Sequence, residues 1–329
     1  MRILVTGGCG FIGSNFIRYI LKHYKPAYVT NVDVLTYAGN LANLDGVTEA
    51  HGDRYEFFKA DIANADQMDA LMTEHQFYAI INFAAESHVD RSINSPQNFI
   101  HTNVVGASVL LDAARRHGVQ RFVQISTDEV YGSLGPTGKF TENSPLNPSS
   151  PYSASKAGAD LLALASFKTF DQDVIVTRCS NNYGPYQFPE KLIPLMIIKA
   201  LRDEALPVYG DGMNVRDWIH VEDHCAGIVA ALFEGKAGTT YNFGGDGELA
   251  NLEVVKLILE KLGKPESLIS FVTDRLGHDR RYAIDSSFAH RDLNWKPRHS
   301  PREGIASTVD WYLQNQFWWQ DLLERAGRY

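Results

Sequence analysis

The sequence predicts a doubly wound α/β protein, in which a parallel sheet with helices on both faces is joined to a smaller, interleaved α/β domain. The first observation is that short apolar runs alternate strictly with segments of helical spacing through residue 179. Such alternation is typical of a parallel sheet whose strands are buried on both faces. The second observation is that loop-forming residues become frequent beyond residue 180, where the helical segments shorten.

The elements of the larger part follow in chain order. The apolar run at residues 3–6 predicts a strand, and the helical spacing of residues 11–21 predicts the first helix. Further strands are predicted at residues 28–33, 55–59, 79–83, 121–126 and 174–177, with helices at residues 66–73, 107–114 and 150–165. Ser150-Pro151 supplies an N-cap and a first-turn proline, and Gly118 stands where a C-terminal cap is expected.

The two domains are predicted to interleave. Residues 181–185 and 210–212 are loop-rich, whereas residues 241–243 and the two glycines after them predict a strand that returns to the main sheet. We therefore assign residues 1–179 and about 217–246 to the larger domain. The smaller domain comprises about 180–216 and 247–329.

Composition narrows the class of protein. The 329 residues include 31 Lys and Arg against 39 Asp and Glu, and the net charge of −8 argues against nucleic-acid or membrane partners bound by bulk electrostatics. Cys9, Cys179 and Cys225 lack C-x-x-C spacing, which indicates a reducing compartment. No apolar run approaches the roughly 18 residues of a membrane span. Because the sequence begins with a strand, no signal peptide is expected and the protein is predicted to be cytoplasmic.

A glycine-rich turn indicates a dinucleotide site. Gly7, Gly10 and Gly13 lie between the first strand and the first helix, where backbone N–H groups and the helix dipole favour a pyrophosphate. Glycine is needed there because a Cβ would block the close approach of the phosphates. Asp33 ends the second strand about 20 residues later, where a carboxylate accepts hydrogen bonds from a ribose and repels a 2′-phosphate. The pattern predicts a Rossmann domain that binds NAD.

Polar groups that carry chemistry follow the strand at residues 121–126. Thr127, Asp128 and Glu129 lie at its carboxyl end, where reacting groups gather in open α/β sheets. Tyr152 and Lys156 are four residues apart near a helix start, so they share one face. A nearby ammonium and a positive nicotinamide ring lower the pKa of a phenol enough for it to act as a base. Two adjacent carboxyls indicate a second reaction that needs both an acid and a base.

The sequence resembles the extended short-chain dehydrogenase/reductases in its Thr-Gly-x-x-Gly-x-x-Gly and Tyr-x-x-x-Lys motifs. Over essentially the whole chain it is similar to the dTDP-glucose 4,6-dehydratases. That resemblance rests on residues 82–92, 126–132, 179–186, 216–218 and 274–282. Cys9 replaces a common alanine, and the loop at residues 132–140 is shorter than in some members, but neither change affects a chemical residue.

The resemblance implies conversion of dTDP-glucose into dTDP-4-keto-6-deoxyglucose, with NAD regenerated in place. Tyr152 takes the C4 hydroxyl proton while hydride moves to NAD⁺, with Thr127 positioning the oxygen. Glu129 then removes the C5 proton while Asp128 protonates the departing C6 hydroxyl, although these two roles remain exchangeable. Hydride finally returns to C6 and a proton to C5.

The remaining candidate residues come largely from the resemblance. Besides Tyr152 and Lys156, the cofactor set is Gly7, Gly10, Phe11, Ile12, Gly13, Asp33, Val34, Leu35, Thr36, Asp61, Ile62, Ala84, Ala85, Thr102 and Asn182. The substrate set is Ser87, Thr127, Asn181, Lys191, Leu192, Pro207, Val208, Tyr209, Arg216, Asn251, Asp274, Arg275 and His278. Arginines are expected here because an acidic protein needs a local cationic pocket for a diphosphate.

Two other functions remain open at this stage. A nucleotide-sugar 4-epimerase of the same family shares Tyr152 and Lys156 but does not need the acidic pair. A non-enzymatic NAD sensor needs only the glycine turn. No metal is expected, because His220 and His224 have no clearly marked third ligand. The resemblance also implies a homodimer.

Overall fold

The computed structural model describes residues 1–274 and 279–326 of the chain. Its strands are Arg2–Thr6 (β1), Tyr28–Asp33 (β2), Tyr55–Lys59 (β3), Ala79–Asn82 (β4), Arg121–Thr127 (β5), Val174–Cys179 (β6), Asn181–Tyr183 (β7), Leu206–Tyr209 (β8), Val215–His220 (β9), Thr239–Phe243 (β10), Glu248–Ala250 (β11) and Ile269–Val272 (β12).

The helices alternate with these strands along the first two thirds of the chain. They are Phe11–His23 (α1), Val47–His51 (α2), Ala65–Glu74 (α3), Val89–Asn94 (α4), Pro96–Phe99 (α5), Ala107–Arg116 (α6), Pro151–Phe170 (α7), Leu192–Leu201 (α8), Val221–Glu234 (α9), Asn251–Leu262 (α10), Ser287–Asp292 (α11), Pro301–Gln314 (α12) and Gln316–Ala326 (α13). A π-helical turn, Ile100–Gly106, joins α5 to α6, and a 3₁₀ turn, Asp128–Tyr131, follows β5.

The central sheet has seven parallel strands in the order β10-β6-β5-β4-β1-β2-β3. Both of its faces are covered, as the apolar runs predict. In β1, Ile3 and Val5 pack with α1 and α9, while Leu4 packs on the opposite face with α3 and α6. The predicted doubly wound α/β fold is therefore confirmed.

The strand order reverses between β1 and β4, which makes this the switch point of the sheet. Ligands of open α/β sheets bind in the crevice beyond the carboxyl ends of the strands at such a point. Both the glycine turn after β1 and the Asp128–Tyr131 turn after β5 lie at this edge. The fold thus brings the two predicted sites together.

The smaller α/β part contains two further sheets. One has the order β11-β9-β7, and β8 pairs with β12 in the other. Their core includes Ile197 on α8, Val254 on α10 and Tyr312 on α12. As predicted, β10 returns to the main sheet beside β6, whereas β9 pairs with β7 and β11. The division into two domains at the predicted boundaries stays a prediction.

Within residues 1–274 and 279–326, no helix combines the length and the apolar character needed to cross a membrane.

Candidate active site

The turn after β1 forms a tight cradle of backbone. Gly7 has a φ of +68°, and a Cβ there would lie 2.6 Å from the backbone nitrogen of Ala84. A Cβ on Gly13 would lie 2.4 Å from the carbonyl oxygen of Gly7. Gly10 is the N-cap residue of α1, so no side chain caps this end of the helix. These glycines leave room for a ligand beside the N–H groups of α1, as the sequence predicts.

Asp33 is held at the end of β2 by two backbone donors. Its carboxylate accepts hydrogen bonds from the N–H of Cys9 at 2.9 Å and from that of Leu35 at 2.8 Å. Burial raises the pKa of Asp33, and the two hydrogen bonds act in the opposite direction. The carboxylate therefore lies at a fixed position beside the cradle, with acceptor capacity left for a ligand hydroxyl.

A cavity of about 550 Å³ runs from this cradle to the end of β5. It gathers most of the predicted cofactor residues: Gly7, Gly10, Phe11, Ile12, Gly13, Asp33, Val34, Thr36, Asp61, Ile62, Ala84, Ala85, Thr102, Tyr152, Lys156 and Asn182. Leu35 does not line it, but its N–H donates to Asp33, which does. Thr127, Asp128 and Glu129 line the same cavity.

Thr127 caps the 3₁₀ turn that carries the acidic pair. Its hydroxyl accepts a hydrogen bond from the N–H of Glu129 at 3.3 Å and lies 3.4 Å from Oδ1 of Asp128. Asp128 is only 2% exposed, and its Oδ2 has no hydrogen-bond partner in the described structure. Glu129 is half-buried. Two neighbouring carboxyl groups thus sit in different surroundings.

Those surroundings favour a protonated Asp128. Burial raises the pKa of Asp128 well above its ordinary value, and the charges of Glu129 and Asp217 act in the same direction. Arg216 and the Thr127 hydroxyl oppose the rise. A buried carboxyl that keeps its proton at neutral pH can donate it to a leaving hydroxyl.

Tyr152 and Lys156 lie one turn apart at the start of α7 and both face the cavity. The Ser150 hydroxyl accepts a hydrogen bond from the N–H of Ser153, which confirms the predicted cap of this helix. Burial raises the pKa of Tyr152 well above its ordinary value, and Glu129 adds to the rise. Lys156 is 4% exposed, and its Nζ donates to the carbonyl of Ile125 at 2.6 Å. The phenol therefore needs positive charge nearby before it can act as a base.

A second cavity, of about 370 Å³, continues from the first. The two have residues in common: Ser87, Glu129, Asn181, Glu190 and Lys191. The predicted substrate residues that line the second cavity are Ser87, Asn181, Lys191, Leu192, Pro207, Tyr209, Arg216 and Asn251. Val208 is instead packed in the core, and Asp274 is exposed and lies beside Gly210, outside both linings. Arg275 and His278 lie outside the described residues.

Arg216 is the buried cation of the second cavity. It is 7% exposed, and its guanidinium lies 4.4 Å from the ring centre of Tyr282. Its Nη2 donates to the carbonyl of Asp279 at 2.9 Å. Oδ1 of Asn181 and Oδ1 of Asn251 are buried acceptors without partners in the described structure. The cavity therefore offers the cations of Arg216 and Lys191, which suit a diphosphate, and two acceptors for hydroxyl or N–H donors elsewhere on a ligand.

Sequence reasoning missed several lining residues. Asp279 and Tyr282 stand in the motif at residues 274–282 but were not assigned a role, although they support Arg216. Glu190 lines both cavities, and the hydroxyl of Tyr37 donates a hydrogen bond to its Oε1 at 3.2 Å. The adjacent Lys191 was the only signal for Glu190, and nothing marked Tyr37.

A histidine cluster lies away from these cavities. Potential ligand atoms of His220, Glu222 and His299 lie within 4.8 Å of one another. The two imidazoles are stacked, however, with ring centres 4.0 Å apart, and Nδ1 of His220 already accepts a hydrogen bond from the N–H of Glu222 at 3.3 Å. His299 also pairs with Asp223 at 2.9 Å. That the protein uses no metal stays a prediction.

The chain is similar to known proteins over nearly its whole length. The profile of the GDP-mannose 4,6-dehydratase family matches residues 4–308. A dTDP-glucose 4,6-dehydratase from Xanthomonas campestris pv. campestris is 53% identical, over 99% of this chain and 97% of its own. The crystal structure of a dTDP-glucose 4,6-dehydratase from Streptomyces venezuelae, with NAD bound, has a TM-score of 0.94 and 49% identity over 98% of this chain and 100% of that one. A UDP-glucose 4-epimerase from Thermotoga maritima has a TM-score of 0.90 but 27% identity, over 96% of this chain and 100% of that one.

Proposed function

Because this chain belongs to the dTDP-glucose 4,6-dehydratases, within the GDP-mannose 4,6-dehydratase family, we propose that it converts dTDP-glucose into dTDP-4-keto-6-deoxyglucose with loss of one water. It is an NAD-dependent hydro-lyase. The observation that carries the proposal is the acidic pair beside Tyr152 in one cavity, in which Asp128 is buried and Glu129 is half-buried. An epimerase or an NAD sensor does not need that pair.

The residues of the first cavity fit NAD. A Cβ at Gly7 or Gly13 would fill the cradle expected to hold the pyrophosphate. The Asp33 carboxylate suits free ribose hydroxyls and disfavours a 2′-phosphate. When bound, NAD accepts a hydride from the sugar and supplies it again later in the same cycle.

Tyr152 is the base for oxidation at C4. Its phenolate takes the proton of the C4 hydroxyl, and Thr127 lies where it can position the same oxygen. Since burial and Glu129 oppose the phenolate, the ammonium of Lys156 must stabilise it. C4 becomes a ketone, which acidifies the proton on C5.

The acidic pair then removes water. Glu129 takes the C5 proton as a carboxylate, while Asp128 gives its proton to the departing C6 hydroxyl. The raised pKa of Asp128 supports this division, which the residue types alone left open. After hydride returns to C6, Glu129 returns the proton to C5. Tyr152 has gained one proton and Asp128 has lost one, so exchange with solvent restores both.

The substrate nucleotide occupies the second cavity in this proposal. Arg216 faces the diphosphate, and the amide oxygens of Asn181 and Asn251, which have no partner among the described residues, accept hydrogen bonds from the ligand. Ser87, Lys191 and the remaining lining residues complete the pocket. The sugar then extends toward Glu129, which lines both cavities.

The test is incubation of the purified protein with dTDP-glucose, without added NAD, followed by mass spectrometry. The proposal predicts a product lighter by one water. A product of unchanged mass whose C4 configuration is inverted would identify an epimerase, and unchanged substrate would contradict any activity of this class.

We also propose that the chain forms a homodimer through the helices that flank the first cavity. Ile100 and Val105 on the π-helical turn are 48% and 42% exposed, and Leu161 on the adjacent α7 is 57% exposed. Exposed apolar side chains on two packed helices favour burial against a second copy. Sedimentation of the wild-type protein should give twice the mass of one chain, and sedimentation of Leu161→Lys should give the mass of a single chain.

A cytoplasmic location is proposed as well. Cys9, Cys179 and Cys225 are all free and buried, which agrees with a reducing compartment.

A further inference from the structure

The catalytic face of α7 continues for one more turn beyond Lys156. Tyr152, Lys156 and Asp160 are spaced by four residues, so their side chains lie on the same side of the helix. Asp160 is fully buried, and its Oδ2 accepts a hydrogen bond from Nε of Arg178 at 2.9 Å. Arg178 is itself only 3% exposed. A buried ion pair thus lies one helical turn beyond Lys156, whose ammonium must stay charged.

This ion pair also contacts the turn that carries the acidic pair. Nη1 of Arg178 donates to the hydroxyl oxygen of Tyr131 at 2.9 Å, and that hydroxyl donates to Oδ1 of Asn242 at 2.9 Å. Tyr131 ends the 3₁₀ turn that begins at Asp128. Arg178 is therefore fixed by β6, by the turn after β5 and by β10, so the position of the Asp160 carboxylate is fixed as well.

Asp160 is an anion one helical turn from Lys156 on α7. Burial lowers the pKa of Lys156, and the groups that oppose this are Asp160 and Cys179. Burial raises the pKa of Cys179 to about 12, so that side chain is a neutral thiol at neutral pH. On the other side, burial raises the pKa of Asp160, while Arg178, Ser126 and Lys156 oppose the rise. A carboxylate paired with a guanidinium keeps its negative charge.

We infer that Asp160 is a positioning residue for the reaction, because its carboxylate, held by Arg178, keeps the buried ammonium of Lys156 charged and so supports the phenolate of Tyr152. This inference rests on the roles that the proposed function gives to Tyr152 and Lys156. It assigns to a structural ion pair an effect on the first proton transfer.

The test compares Asp160→Asn with the double variant Asp160→Asn/Arg178→Gln, in which the guanidinium that pairs with Asp160 is removed as well. Both are studied as the holoprotein with NAD⁺. The pH dependence of kcat/KM for water loss is recorded, and the titration of Tyr152 is followed by ultraviolet difference spectroscopy against Tyr152→Phe in the same background. We expect the acid limb and the Tyr152 titration to move up by about one pH unit, a tenfold loss of rate on that limb. Asp160→Glu, which keeps the charge, should recover most of this shift.

Asp173→Asn is the matched control. Asp173 pairs with Arg121 at 2.8 Å where β5 and β6 begin, whereas Arg178 lies near the carboxyl end of β6. The control pair is therefore far from the catalytic face. This variant should lower stability without moving either titration. A double variant with wild-type titrations would overturn the inference, whatever its stability. If the wild-type protein removed no water, the proposed function would fail, while the Tyr152 titration would still decide the role of Asp160.

Discussion

Replacing Asp128 by Asn should stabilise the protein at neutral pH and strongly slow water loss at the same time. Asn has nearly the same shape but no proton to give, and general acid catalysis contributes about 10²- to 10⁴-fold. We therefore expect water elimination to slow by about that factor, while C4 oxidation continues. Mixing the variant with dTDP-glucose should give a single burst of NADH absorbance without a dehydrated product.

The effect on stability follows from the raised pKa of Asp128, which is caused by burial and by the charges of Glu129 and Asp217. Below the pKa of an unfolded Asp, about 3.9, the group is protonated in both states. As the pH rises, the unfolded chain ionises while the folded Asp128 keeps its proton, so the folded state loses stability until its own pKa is passed. Each pKa unit of that rise corresponds to about 1.4 kcal/mol.

Urea unfolding of both proteins from about pH 3 to about pH 8 measures this directly. The lower pH lies below the ordinary pKa of Asp and the upper pH lies well above it. Asp128→Asn should match the wild type at the acid end and exceed it at neutral pH. Glu129→Gln is the comparison, since it should also block elimination while leaving Asp128 to titrate. An Asn variant that is less stable at neutral pH, or that dehydrates substrate within tenfold of wild type, would refute the reasoning.

Three further predictions concern binding. Asp33→Asn should weaken NAD binding by about 10- to 100-fold, because a hydrogen bond to a charged group is worth about 1.5–3 kcal/mol. It should also reduce the preference for NAD over NADP; calorimetry with both cofactors would check this, and unchanged selectivity would contradict it. Gly7→Ala should lose NAD binding and stability through the contact with Ala84, whereas Gly46→Ala, which has a φ of +78° and open space around its Cβ, should cost only about 1–2 kcal/mol in urea unfolding and bind NAD normally. Arg216→Gln should raise the KM for dTDP-glucose at least about tenfold through loss of a charge-assisted contact, with the exposed Arg280→Gln as a control that leaves KM unchanged in steady-state assays.

The main sheet could be predicted because its signals are local. Strands buried on both faces are continuous apolar runs, and the helices between them show their own period. The predicted strand at residues 28–33 matches β2. The predicted helix at residues 11–21 matches α1, which ends two residues later, at His23. The π-helical turn at residues 100–106 could not be predicted. It is stabilised by Asn103, which bonds the backbone of Glu86 and the hydroxyl of Ser155, and such tertiary contacts leave no periodic signal.

The candidate site was predictable where chemistry demands particular residue types. Glycines at a turn, an acid at a strand end and a Tyr-x-x-x-Lys pair all have reasons that can be read locally. The substrate pocket is different, because its residues come from short segments that meet only in the fold. Val208 shows the limit: it adjoins Pro207 and Tyr209, which line the cavity, but the alternation of β8 turns its side chain into the core.

The fate of the hydrogen on C4 tests the central claim most directly. In dTDP-glucose labelled with deuterium at C4, oxidation, elimination and hydride return on one bound sugar should carry the label to C6. Nuclear magnetic resonance of the product is predicted to show a singly deuterated C6 methyl group and protium on C5. A label that stays at C4, or that is lost to solvent, would contradict the account.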